Sequence, residues 1–176
     1  MAIVTGAARG LGRAAAKRLY ERGASVAVNV REPARAEAVA KALGERSIDV
    51  PGDITGPGVP EEIVRRTLER FGRVDILVNN AALARSTRFH DLSPEEWRQA
   101  LEVNLTAPFL LTKAVLPAMK AQQYGRIINI SSTAGRMVST LGGAHYTASK
   151  TGLLGLTRAS AKELGKFGIT VNAVCP

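Results

Sequence analysis

Tyr146 and Lys150 stand four positions apart in Tyr-Thr-Ala-Ser-Lys, at the head of a stretch with helical patterning. Four residues on a helix is slightly more than one turn, so the two side chains lie on one face. A phenol with a pKa near ~10 is a poor acid–base group at neutral pH. An ammonium close by stabilises the phenolate and lowers that pKa. Upstream, Ile127, Ile128 and Ile130 form a short apolar run that reads as a buried strand, and Ser131 and Ser132 stand where it ends. From there the Ser132 hydroxyl can donate a hydrogen bond to a substrate oxygen that Tyr146 protonates. Hydroxyl, phenol and ammonium together suit reduction of a carbonyl and the reverse oxidation. Taken alone, the Tyr–Lys pair is more often a solvated helix face. It carries weight only beside a nucleotide site.

Such a site is legible at the other end of the chain. Ala2 to Val4 reads as a strand start, and Thr5-Gly6 turns out of it into Gly10-Leu11-Gly12. A helix over 11–22 follows, with Leu11, Ala14, Ala15 and Leu19 expected on its inner face and Gly23 as its stop. Glycines let the backbone approach a pyrophosphate, and the free N–H groups of a helix N-terminus face it. The spacing differs from the common G-x-G-x-x-G of dinucleotide sites. The second strand, 25–30, ends in Val30-Arg31, where NAD-binding folds usually carry an acid for the ribose 2′-hydroxyl. A guanidinium there pairs with a 2′-phosphate instead. Arg9 in the glycine loop is placed to help. Glu32 leaves the alternative open, since a shift of two residues puts a carboxylate near the ribose. Arg31 as a mere solvated helix-start residue is also open.

The remaining elements alternate. A helix over 33–43 stops at Gly44, and a third strand over 48–50 runs into Pro51-Gly52-Asp53. The proline suits an edge strand. A helix over 60–71 precedes a fourth strand, 74–78, which runs into Asn79-Asn80-Ala81-Ala82. Ser93-Pro94-Glu95-Glu96 is a helix start, with Ser as N-cap and Glu at the third position. That helix is expected to reach Gln122, kinked at Pro108 and Pro117. The Tyr–Lys helix runs to Gly165, and 169–174 is the sixth strand. Alternation of this kind gives an α/β, Rossmann-like doubly wound parallel sheet in the order 3-2-1-4-5-6, folded as a single domain over 1–176.

Ser132, Tyr146-x-x-x-Lys150 and Thr5-Gly6-x-x-x-Gly10-x-Gly12, taken together, resemble the short-chain dehydrogenase/reductase family from Ala2 to Pro176, with most likeness to its 3-oxoacyl-thioester reductase branch. The resemblance implies a nicotinamide-dependent oxidoreductase acting on a small carbonyl or alcohol. It assigns catalysis to Ser132, Tyr146 and Lys150, with Asn104 holding a water that links the lysine to solvent. It places the cofactor against Thr5, Gly6, Arg9, Gly10, Leu11 and Gly12, against Arg31, Asp53 and Ile54, and against Asn80, Ala81 and Ala82, with Tyr146 and Lys150 at the nicotinamide ribose. Basic residues at positions 9 and 31 go with NADP(H) over NAD(H) in that family. Two departures stand out: Ala82 replaces a usual glycine, and the Ser132–Tyr146 gap is one residue longer than the family's. The resemblance further implies a homodimer or homotetramer through helices near 93–122 and 146–164, where Ala148, Gly152, Gly155 and Ala159 permit close packing. Family members continue past the position of Pro176 with a substrate-covering segment and a final strand. These 176 residues are therefore expected to bind cofactor but catalyse poorly, with 169–174 as an exposed edge. The rival reading is a dinucleotide-binding sensor or scaffold without chemistry.

Composition narrows the rest. Hydrophobic residues make 45% of the chain and charged ones 22%, as in an ordinary globular domain with a real core. One cysteine, Cys175, excludes an internal disulfide, and two histidines, His90 and His145, make a zinc site improbable. The net charge of +9 raises nucleic acid as a partner, but the basic residues are scattered without interleaved aromatics, so none is expected. No membrane span or signal segment is expected, and the default is a cytoplasmic protein.

Overall fold

The computed structural model describes residues 1–137 and 142–176, and every structural statement below concerns those residues. Six parallel strands form one sheet in the order β3-β2-β1-β4-β5-β6. They are β1 (Ala2–Thr5), β2 (Val26–Asn29), β3 (Ser47–Asp49), β4 (Ile76–Asn79), β5 (Gly125–Ile130) and β6 (Ile169–Val174). The crossover helices are α1 (Gly10–Glu21), α2 (Pro33–Leu43), α3 (Val59–Phe71), α4 (Pro94–Leu101), α5 (Ala107–Gln122) and α6 (Ala144–Leu164). Strand β3, which precedes Pro51, is one edge, and β6 is the other.

Alternation of side chains along each strand builds two cores. Ile3, Leu77 and Ile127 meet Ile63 of α3 and Leu111, Val115 and Met119 of α5 on one face. Val4, Val28 and Val78 meet Ala16 of α1 and Ala36 and Ala40 of α2 on the other. Each fully buried Val, Ile or Leu contributes ~1.5–3 kcal/mol, which makes the central strands the most costly to disturb. Residues of β1 and β2 are buried throughout, as a strand covered on both faces requires. At the β6 edge, Thr170 and Asn172 are exposed and Val174 is half exposed.

Two expectations need correcting. The inner face of α1 is Gly12 and Ala16, whereas Leu11 and Ala14 are exposed. A Cβ at Gly12 would run into the Asn80 side chain and the Gly6 carbonyl oxygen. The helix sits so close to the sheet that only small residues fit beneath it. The helix from Ser93 onward is also built differently. Its first part ends in a single π-helical stretch, Glu102–Thr106, before α5 begins. The irregularity therefore lies before Pro108, and α5 runs through Pro117 without a break. Ser93 does cap α4, its Oγ accepting from the Glu96 N–H at 3.1 Å. Of the small residues on α6, Gly152 faces Leu105 of the same chain, a Cβ added at Gly155 would meet no described atom of another element within 4 Å, and Ala159 is exposed.

Candidate active site

A cleft of about 1210 Å³ runs along the carboxyl ends of the strands, where open parallel sheets bind ligands. One end is made by backbone. Gly6 and Gly10 have positive φ angles of 64° and 55°, which only glycine adopts cheaply. A Cβ at Gly6 would fall 2.8 Å from the Ala81 Cα, so the loop and the end of β4 are pressed together. Thr5 ties this contact: its Oγ1 accepts from the backbone N–H groups of Asn80 and Ala81, both at 3.0 Å. Asn80 donates back through Nδ2 to the Thr5 and Gly6 carbonyls at 2.9 and 3.2 Å. The first turn of α1 has no side-chain cap, so its N–H groups face the cleft unclaimed by a capping side chain. This bare, glycine-lined helix start fits a pyrophosphate.

Farther along, Arg9, Arg31, Asp53 and Ile54 line the same cleft. Asp53 accepts from Thr55 N and Thr55 Oγ1 at 3.0 and 2.7 Å, and these bonds, with the Arg31 charge, hold its carboxyl below the usual range. Asn29, which the sequence reading passed over, joins the ends of β2 and β3: its Nδ2 donates to the carbonyls of Val50 and Gly52. Its signal was weak, a polar residue inside an apolar strand. Glu32, the competitor for the ribose, stands 3.3 Å from Arg35.

The other end is made by buried polar side chains. Lys150 is 2% exposed and donates through Nζ to the Ile130 carbonyl at 2.7 Å. Burial lowers its ammonium from 10.5 to about 8, so it remains charged at neutral pH. Its Nζ lies 5.8 Å from the centre of the Tyr146 ring. Ser132 follows β5, and its Oγ accepts from Ala134 N at 3.2 Å, which leaves the O–H as a donor. Its neighbour Ser131 donates to the Lys150 carbonyl at 2.9 Å and holds α6 against the strand end. Gly135 permits this approach, since a Cβ there would fall 2.8 Å from the same carbonyl.

Asn104 is fully buried within the π-helical stretch. Its Oδ1 accepts from Leu83 N, and its Nδ2 donates to Leu83 O and to Ser149 Oγ. The Ala107 N–H bonds back to Glu102, and Pro108 has no N–H to give the Asn104 carbonyl in the ordinary helical pattern. Three expected site residues, Thr5, Gly12 and Asn104, thus stand behind the cleft wall and shape it. Gly6, Arg9, Gly10, Leu11, Arg31, Asp53 and Ile54 lie in the wall. So do Asn80, Ala81, Ala82, Ser132, Tyr146 and Lys150. The loop between Ser132 and Tyr146, expected to carry one extra residue, includes 138–141, which lie outside the described residues. Among those described, no cluster of three metal-ligating side chains occurs, and no helix is long and apolar enough to cross a membrane.

A doubly wound sheet with a glycine-lined helix start at one end of its cleft, and a serine, tyrosine and buried lysine at the other, defines a nicotinamide-dependent oxidoreductase. The comparisons agree: the family description short chain dehydrogenase matches residues 1–176, and the chain belongs to that family. It is 42% identical over 180 residues to a 3-oxoacyl-[acyl-carrier-protein] reductase of Synechocystis sp., covering all of this chain and 72% of that protein. It is 40% identical over 182 residues to the (2S)-[(R)-hydroxy(phenyl)methyl]succinyl-CoA dehydrogenase subunit of Thauera aromatica, covering 71% of it. A solved short-chain dehydrogenase from Streptomyces avermitilis superposes with a TM-score of 0.93 at 34% identity. That match covers 99% of this chain, which spans 64% of the length of the solved one.

Proposed function

We propose that the protein interconverts a ketone and a secondary alcohol using NADP(H), with a 3-oxoacyl thioester as the best-supported substrate class. The observation that carries the reading is a buried Lys150 beside Tyr146 in the same cleft as the glycine loop. Gly6, Gly10 and the start of α1 would hold the pyrophosphate, and Asp53 and Ile54 the adenine side. Arg31 and Arg9 would pair with a 2′-phosphate, as the engagement of Glu32 with Arg35 favours. The nicotinamide, when bound, supplies or accepts the hydride.

The chain's own residues handle the proton and the geometry. Ser132 donates a hydrogen bond to the substrate oxygen and orients it. Tyr146 gives its phenolic proton to that oxygen in reduction and takes it back in oxidation. The Lys150 ammonium stabilises the phenolate left behind. Asn104, fixed by Leu83 and Ser149, holds the π-helical stretch beside α6 and supports the route by which the proton is replaced. The thioester class is supported by likeness to the Synechocystis reductase and to the Thauera CoA-thioester dehydrogenase.

The test is NADPH and NADH oxidation with 3-oxoacyl thioesters, cyclic ketones, sugars and steroid ketones side by side. The expected result is the highest kcat/KM for a thioester with NADPH. Greater turnover of a sugar or steroid ketone would overturn the substrate class, and preference for NADH would overturn the cofactor assignment.

A further inference from the structure

His145 immediately precedes Tyr146 and is completely buried, yet neither ring nitrogen has a hydrogen-bond partner. A neutral imidazole must carry one N–H, and buried N–H groups without a partner are rare. A carboxylate stands close by: Nε2 lies 3.7 Å from Glu96 Oε1. That oxygen also accepts from Thr87 Oγ1 at 2.5 Å, and the Glu96 side chain is only 15% exposed. Glu96 occupies the third position of α4, where an acid commonly turns back to cap its own helix. Here it reaches away from the cap, toward Thr87 and the head of α6. Gly143 makes room, because a Cβ there would fall 2.6 Å from His145 Cε1 and 2.9 Å from the Thr87 carbonyl. The Gly143 N–H donates to Arg85 O at 3.2 Å, a second tie between the same two segments.

We propose that the buried His145, with the partly buried Glu96 and Thr87, forms a polar clasp that positions the substrate-side wall of the cleft, residues 83–96, against the head of α6 and so sets the placement of Tyr146. The proposal rests on the oxidoreductase reading and deepens it. Leu83, Arg85 and Glu96 line the same cleft as Tyr146, so the clasp joins two parts of its wall. Hydrogen bonds around a reacting centre are often long without ligand and tighten on binding. Closure by several tenths of an ångström turns the 3.7 Å contact into a charge-assisted hydrogen bond from Nε2–H to the carboxylate. His145 touches no reacting atom in this account and acts only through Tyr146 and the wall.

The test compares wild type with His145→Phe, which keeps a ring and removes the donor, and His145→Gln, whose amide N–H reaches a similar place. Glu96→Gln, nearly the same size, serves as the second variant should His145→Phe fail to fold. Readouts are kcat and KM separately, NADPH affinity by fluorescence titration, and amide hydrogen exchange over residues 83–93. His145→Phe is expected to lower kcat about tenfold or more and to raise KM, since small misplacements near a reacting centre are costly. It should also speed exchange over 83–93 while leaving NADPH affinity within about twofold, and His145→Gln should restore most of each loss. Unchanged kcat, KM and exchange in His145→Phe, with only a lower melting temperature, would overturn the clasp. Failure of His145→Gln to restore anything would overturn it too. If wild type reduces no carbonyl while the exchange pattern is as expected, the functional reading fails and the clasp stands.

Discussion

The glycine-loop end of the cleft, assigned above to the nucleotide, is made by removing side chains, and the Tyr146–Lys150 end, assigned to catalysis, by burying polar ones. At the first, Gly6 and Gly12 let the loop after β1 and the start of α1 press against Asn80 and Ala81 beyond the end of β4. At the second, Lys150, Asn104 and Ser149 are each nearly or fully buried and depend on partners from other elements. The difference is in how each end fails. Added bulk closes the first, because the neighbouring backbone cannot yield. Loss of one partner unbalances the second, because a buried polar group left alone costs far more than its bond was worth.

The largest expected effect breaks the comparison at the catalytic end alone. Tyr146→Phe should lower kcat by roughly 10²–10⁴-fold, the usual contribution of a positioned acid–base group. NADPH affinity, measured by titration, should stay nearly the same. Substantial residual turnover would remove Tyr146 from its role. The converse is Gly12→Ala. Its new methyl group meets the Asn80 side chain and the Gly6 carbonyl oxygen. A stability loss of ~1–3 kcal/mol in denaturant unfolding is expected from overpacking. NADPH affinity should fall about a hundredfold, more than turnover at saturating cofactor does. Wild-type affinity in this variant would show that the loop is looser than its geometry.

A finer test separates two cofactors at one end. Arg31→Asp should shift the ratio of NADPH to NADH affinity by about ten- to a hundredfold, the range for a charge-assisted hydrogen bond lost. An unchanged ratio in parallel titrations would leave the 2′-phosphate without its assigned partner.

The smallest effect reads the buried lysine through stability. The Lys150 ammonium is lowered to about 8 by burial, against 10.5 when unfolded. Between those values the unfolded chain holds a proton the folded chain has released, so stability rises with pH across that window. Below pH 8 both states are protonated and the cost of the buried charge is felt in full. Relative to Lys150→Met, the wild type should gain on the order of 1–3 kcal/mol between pH 8 and 10.5 in denaturant melts. Parallel curves for the two proteins would mean the lysine is better solvated than its burial implies.

Legibility in the sequence follows the same division. Strand order, the glycine loop, the Ser93 cap and the Tyr146–Lys150 face were readable because glycine, capping residues and helical spacing act locally. The inner face of α1 was misread because apolar periodicity favours the larger residues, whereas so close an approach admits only Gly12 and Ala16. Pro117 drew attention as a kink, yet α5 runs through it; the irregular turn is Glu102–Thr106, where Pro108 has no N–H to give the Asn104 carbonyl and the Asn104 side chain holds Leu83, 21 residues back in the chain. Glu96 read as half of a helix cap, and its reach toward Thr87 and His145 could not be foreseen without the fold. Ser149 and Ser131 carried no local signal, since their bonds to Asn104 and Lys150 exist only once α6 lies beside the π-helical stretch and β5.

The central claim, that Tyr146 and Lys150 serve hydride exchange at a carbonyl, is tested most directly by isotope transfer. The protein is incubated with NADPH deuterated at the transferring position and a 3-oxoacyl thioester, and the product is analysed by mass spectrometry. The account predicts one deuterium on the new carbinol carbon in the wild-type reaction. Tyr146→Phe should give almost none while still binding NADPH. Tight NADPH binding by the wild type with no deuterium in this or any other carbonyl offered would contradict it.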